Sequence, residues 1–203
     1  MPRPKQTEAE REAMRTRILD AAHELLMEQG PEALSVRSIA DRVGVSHMVL
    51  YTYFENHEAL VQALRARFRG MRRAAHTEEL RQAQTGDVVA VMREVLSQYA
   101  VRAEEHPRMY KFRWVQPASN VPHHDPRRPF SGNVQHLSEL IRIGIDRGIF
   151  MDRDPMLAAA TIFSIVHGPL LLFHNGRLAE ADLRDRMSAE ALEVAMGYLM
   201  HDT

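Results

Sequence analysis

Residues 36–54 read VRSIADRVGVSHMVLYTYF, and this stretch decides the fold. Val36, Ile39, Ala40 and Val43 fall at i, i+3, i+4 and i+7, the apolar stripe of a helix with one buried face. Gly44 stands where such a helix ends by entering the left-handed region, which a residue without a Cβ enters freely. Ser46 is placed to cap a second helix. Leu50 and Phe54 share the inner face of that helix, which leaves His47, Met48, Thr52 and Tyr53 off it. A short helix that shows polar and aromatic side chains beside a tight turn is the plan of a helix-turn-helix, which reads DNA in the major groove.

Upstream, Ile18, Ala22, Leu25 and Leu26 predict a first helix over about residues 7–29, stopped by Gly30-Pro31, that packs across the pair. Ser35 is the cap expected for the second helix. Residues 1–7 are expected to form a loose arm, solvated or reaching toward DNA through Arg3 and Lys5. The charge balance gives little help. The 203 residues carry a net charge of −1, and Lys5 and Lys111 are the only lysines among 26 cationic residues. A globally basic nucleic-acid binder is excluded, although a phosphate footprint needs positive charge on one face only. The absence of cysteine excludes disulfides, thiolate metal sites and cysteine nucleophiles. The N-terminus MPRPKQTEAERE has no apolar signal core, and no stretch approaches the roughly 20 apolar residues of a comfortable membrane span. A cytoplasmic protein is expected.

The run from Arg11 to Leu60 resembles the DNA-binding domain of TetR-family transcriptional regulators, through ILDAAHELLMEQG, ALSVRSIADRVGVS and LYTYFENHEAL in that order and spacing. The resemblance implies an all-α protein of about nine helices. Residues 1–56 would form a helix-turn-helix domain and residues 57–203 a helical ligand-binding and dimerisation domain. By the same resemblance Arg37, Ser46, His47, Met48, Val49, Tyr51, Thr52, Tyr53 and His57 are the DNA-binding set. His47, Met48 and Val49 match base-facing positions, and Tyr51 and Tyr53 match positions on the sugar-phosphate backbone, Tyr53 the more strongly. Arg37 is otherwise a solvated first-turn residue, and Tyr51 a core aromatic. His57 stands where the family usually has a phosphate-contacting lysine; an imidazole near its ordinary pKa of about 6.5 is mostly neutral at pH 7.

Beyond His57 a long fourth helix is expected to reach about Glu79. Its run of Arg65, Arg67, Arg69, Arg72 and Arg73 reads as a solvated surface or a phosphate patch. Asp87 caps a helix with Val88, Met92, Val95 and Tyr99 inward, and Pro107 opens HPRMYKFRWV. QPASNVPHHDPRRPF, residues 116–130, holds four prolines and no helix can cross it. A helix follows with Val134, Leu137, Ile141 and Ile145 apolar. Asp154-Pro155 then starts a helix that is apolar nearly all round and interrupted at Gly168-Pro169, where a kink is expected. The last helix buries Leu192, Ala195, Met196 and Leu199. His106-Pro107-Arg108-Met109-Tyr110 and Phe163-Ser164-Ile165-Val166-His167-Gly168 also resemble a subgroup of the same family.

The resemblance implies a homodimer through the last two helices, with two recognition helices about ~34 Å apart on a near-palindromic operator. It also implies a small-molecule effector inside the C-terminal domain, whose entry moves the fourth helix and releases DNA. Candidate lining residues are Phe68, Met71, Met92, Tyr99, Met109, Phe112, Trp114, Phe163 and His167, and their character suits an apolar or aromatic ligand. Three alternatives stand beside this: a dimer without an effector, a metal-responsive regulator using His123, His124 and Asp125 or His167 and His174, and an enzyme. The last lacks any HExxH, nucleophile elbow or glycine-rich phosphate loop. No cofactor, catalytic residue or resident metal is expected.

Overall fold

The computed structural model describes residues 7–115 and 132–201. Among the described residues there are nine α-helices and no strand. Helix α1 (Glu8–Gln29) begins at a capping box in which the Thr7 hydroxyl accepts from the Glu10 N–H and Glu10 bonds back to the Thr7 N–H. Gly30, at φ 95°, ends α1 and opens a 3-10 turn over Pro31–Ala33. Helix α2 (Val36–Val43) is capped by Ser35 and closed by Gly44 in the left-handed region. Helix α3 (His47–Tyr53) follows, with Ser46 at its N-cap but no bond from that side chain.

Helix α4 (His57–Thr85) is 29 residues, about 44 Å, and extends beyond Glu79 to Thr85. Its first turns close the N-terminal core: Leu60, Val61 and Leu64 pack with Ile18, Leu26, Ile39, Leu50 and Phe54. The N-terminal core therefore draws on residues beyond position 56. Helix α5 (Val88–Glu105) is capped by Asp87, and α6 (Pro107–Trp114) starts directly after it. Helices α7 (Gly132–Asp146), α8 (Pro155–His174) and α9 (Ala181–Met200) complete the second core around Met92, Leu96, Leu140, Ile162, Leu170 and Met196.

Helix α8 continues through Gly168-Pro169 as one helix, with Pro169 inside it. One expectation about it needs correction: at 20 residues and mean hydropathy 1.9, it is long and apolar enough to cross a membrane by length and composition. In this fold α8 is a core helix instead: Ala158, Ala159, Ile162, Val166 and Leu170 are buried among the other helices.

Candidate nucleic-acid interface and ligand cavity

Helices α2 and α3 meet in a notch of about 500 Å³ lined by Val36, Arg37, Asp41, Val45, Ser46, His47 and Tyr51. Met48 and Tyr51 are 63% and 46% exposed, and Arg37, His47 and Thr52 are exposed with them. This is the face that a groove-reading helix must offer. Val49 is partly buried against the N-terminal core. Tyr53, expected more strongly than Tyr51 at the sugar-phosphate backbone, is 8% exposed and packs in that core. The physical reason is spacing: Tyr53 is three residues after Leu50 and joins its face. His57 is also committed locally. Its Nε2 donates to the Leu34 carbonyl at 2.6 Å, tying the start of α4 to the segment before α2.

The arginines nearby are mostly engaged inside the domain. Arg11 and Arg15 donate to the Thr52 and Tyr53 carbonyls at the end of α3, and Arg17 to the Val43 carbonyl at the end of α2. Cations at helix C-termini are favoured by the helix dipole. Arg42 pairs with Glu28 at 2.6 Å and Glu24 at 3.3 Å. Arg37 makes no ion pair or side-chain hydrogen bond among the described residues. The arginine run on α4 is likewise no uniform phosphate patch: Arg67 pairs with Asp20, Arg65 donates to the Phe112 carbonyl, and Arg72 turns toward the second domain.

A second cavity, about 210 Å³, lies between α4, α5, α6, α7 and α8. Phe68, Met71, Tyr99, Met109, Trp114 and His167 line it, six of the nine residues expected. Phe163 supports the wall, stacking on His167 at 4.2 Å and packing on Trp114 at 5.4 Å. Met92 is fully buried in the C-terminal core and Phe112 in the N-terminal one, so neither faces the cavity. Sequence reasoning missed Arg72, Arg102, His106, Tyr110, Arg113 and Asn133. A signal existed for two of them: Arg72 follows Phe68 by four residues and Arg102 follows Tyr99 by three, which keeps each on its neighbour's face.

His167 sits in a ring of aromatics, with Tyr99 at 5.2 Å and Trp114 at 4.7 Å. Burial, aided by the charge of Arg113, pushes its pKa down to about 3, so the imidazole is neutral. Both of its nitrogens and the Tyr110 hydroxyl are buried without a hydrogen-bond partner among the described residues. Burial also pushes the Tyr99 hydroxyl up to about 12. The His167–His174 pair does not stand open for a metal, because the Tyr110 ring packs against both. His123, His124 and Asp125, like Arg3 and Lys5, lie outside the described residues. Beside the cavity, His76, Glu79 and His136 bring ligand-type atoms within 4.8 Å of one another. Here His136 donates to Glu79 at 2.6 Å and stacks on His76, a strut between α4 and α7.

Helix α6 joins the two sites. Phe112 is inserted into the N-terminal core, and Arg108 donates to the Met27 carbonyl of α1 at 2.7 Å. Tyr110, Arg113 and Trp114 of the same helix face the cavity.

Residues 18–64 match the family model described as "Bacterial regulatory proteins, tetR family". The chain is 42% identical over 59 residues to the HTH-type transcriptional regulator UidR of Escherichia coli (strain K12), and 42% over 48 residues to the HTH-type transcriptional regulator YvkB of Bacillus subtilis (strain 168). These matches span 29% and 24% of this chain, and 29% and 25% of the relatives. The fold is shared over nearly the whole length with solved structures. A TetR-family regulator of Pectobacterium atrosepticum gives a TM-score of 0.67 at 19% identity, covering 97% of this chain and 99% of that one. FadR of Bacillus subtilis, solved in complex with stearoyl-CoA, gives 0.64 at 20% identity, covering 91% and 98%. SmeT, the repressor of the Stenotrophomonas maltophilia multidrug efflux pump SmeDEF, gives 0.63 at 22% identity, covering 95% and 93%.

Proposed function

We propose that this chain, whose residues 18–64 match the tetR family model and which shares its fold over nearly its whole length with solved regulators of that family, is a ligand-responsive transcriptional repressor. It binds a near-palindromic operator as a homodimer and leaves it when a small ligand with an aromatic or apolar body enters the cavity. The match of residues 18–64 to a model of bacterial regulatory proteins supports the reading as a regulator over that as an enzyme. The observation that carries the repressor reading is the physical continuity from reader to cavity. Helix α4 starts at the edge of the reader and lines the cavity with Phe68 and Met71, and α6 is fixed in the reader's core at one face and open to the cavity at the other.

The mechanism follows from that continuity. A ligand shifts the DNA affinity only by binding the two arrangements of α4 and α6 differently; a tenfold loss needs about 1.4 kcal/mol of coupling. Base contacts would come from His47, through a hydrogen bond, and Met48, through apolar contact with a thymine methyl. Arg37 and Tyr51 would meet phosphates beside them. Dimerisation is supported by the apolar side chains left exposed on the last two helices, Leu157 and Leu172 on α8 and Val194 and Met200 on α9.

The test is a titration of the purified protein against a fluorescent duplex from its own promoter region at several salt concentrations. Arg37→Ala is expected to lower affinity across sequences and to reduce the salt slope by about one. An unchanged affinity and slope would remove Arg37 from the interface.

A further inference from the structure

We propose that the cavity ligand is an anion: a small aromatic or alicyclic body bearing a carboxylate, sulfonate or phosphate group, held by Arg72 and Arg102. This rests on the cavity being the effector site. Arg72, Arg102 and Arg113 reach the cavity from α4, α5 and α6, and among the described residues that line it none is acidic. The acid nearest Arg72 is Glu79, which already accepts from His136 at 2.6 Å and stands 3.8 Å from the guanidinium. Arg102, half-buried, makes no ion pair or side-chain hydrogen bond among the described residues. Its pKa is lowered by burial and by the charge of Arg72. The fold thus holds like charges together at the wall of a mostly apolar chamber, a repulsion that Glu79 offsets in part and that an anion would relieve further.

The rest of the wall suits the body of such a ligand. Phe68, Met71, Met109 and Trp114 give it apolar and aromatic contact, and the volume leaves room for roughly one or two fused rings. The Tyr110 hydroxyl and a neutral His167 nitrogen stand ready to bond a further oxygen. The same arginines weigh against a dication at His76, Glu79 and His136, since both raise the positive potential there. Ligand entry also has a direct route to the reader. An anion on Arg72 competes with Glu79 for it, on the helix that begins at the edge of the recognition domain.

Trp114 is the only tryptophan in the chain and lies in the cavity wall, so its fluorescence reports entry. Full-length protein would be titrated with 1-naphthoate, 1-naphthalenemethanol and 1-naphthylmethylamine, three probes of similar size and different charge. Naphthoate is expected to bind at least tenfold tighter than the alcohol, and the amine weakest. Arg102→Gln should lower naphthoate affinity at least tenfold and leave the alcohol within twofold; Arg72→Gln should do the same. The wild-type comparison stands even where a variant does not fold. If the alcohol binds as tightly as the acid, the charge assignment falls while the effector site survives. If none of the three binds, both fall.

Discussion

At the scale of single residues, Tyr51 and Tyr53 show what a close resemblance can and cannot settle. The resemblance implies a place at the sugar-phosphate backbone for both, yet one is exposed and the other is a core side chain. Tyr51→Ala is expected to weaken operator binding with little change in melting temperature. Tyr53→Ala should cost about 3 kcal/mol of stability by emptying its place in the core, measured by denaturant unfolding. Equal destabilisation by the two would contradict their assignment. His167 sets a pH dependence whose sign is fixed by its burial. Its folded pKa, about 3, lies below the unfolded value of about 6.5, so the unfolded chain takes up the proton first. Stability is full above pH 6.5 and falls as the pH drops from there toward 3, by up to about 1.4 kcal/mol per unit. Unfolding free energies at pH 7.5, 6.5 and 5.5 should decline more steeply in the wild type than in His167→Phe. A residual slope is expected from His76, which burial and the nearby charges of His136 and Arg72 lower to about 4.

At the scale of elements, most of the fold was legible because it follows local rules. Gly30, Ser35, Gly44, Asp87 and the Asp154-Pro155 pair each mark a helix end through their own backbone chemistry, and each stands where it was expected. What local rules could not supply is which side of a helix meets which partner. Phe112 reads as one more apolar residue on α6, but it belongs to the N-terminal core because α6 is held against α1. Arg102 shares the face of Tyr99 by spacing, but only the packing of α5 shows that this face borders a cavity. The continuity of α8 is a similar case. Proline inside a helix costs about 3 kcal/mol, and the burial of a twenty-residue apolar helix among its neighbours outweighs it. Gly144 on α7 is a further case, its role set by a tertiary neighbour. A Cβ there would come within 2.0 Å of the Phe150 ring, which is itself buried. Gly144→Ala is expected to destabilise the protein by about 1–3 kcal/mol, the range for overpacking, and a melting temperature equal to wild type would show that the ring moves aside freely.

At the scale of the whole molecule, the proposed reading of a near-palindromic operator needs two copies of the chain. Leu157 and Val194 are 65% and 49% exposed on the two helices proposed as the interface, an arrangement that a second copy would bury. The double substitution Leu157→Glu and Val194→Glu is expected to give a folded monomer by light scattering, with operator affinity reduced at least tenfold because one half-site alone remains engaged. A dimer that survives the change would move the interface elsewhere. In the proposed dimer the α2–α3 face and the cavity would be joined through α4 and α6 within each subunit, and the pairing of subunits would fix the distance between the two α3 helices. The acidic balance of residues 1–56, nine acids against seven bases, concerns the domain as a whole. Several of those bases close helix ends, and Arg37 remains on the recognition face. The measurement that tests this most directly is equilibrium binding of the wild-type protein to a duplex from its own promoter region and to a scrambled duplex of the same composition. Binding at least a hundredfold tighter to the promoter duplex, weakening steeply with salt, is the expected result. Equal affinity for the two duplexes would contradict the account.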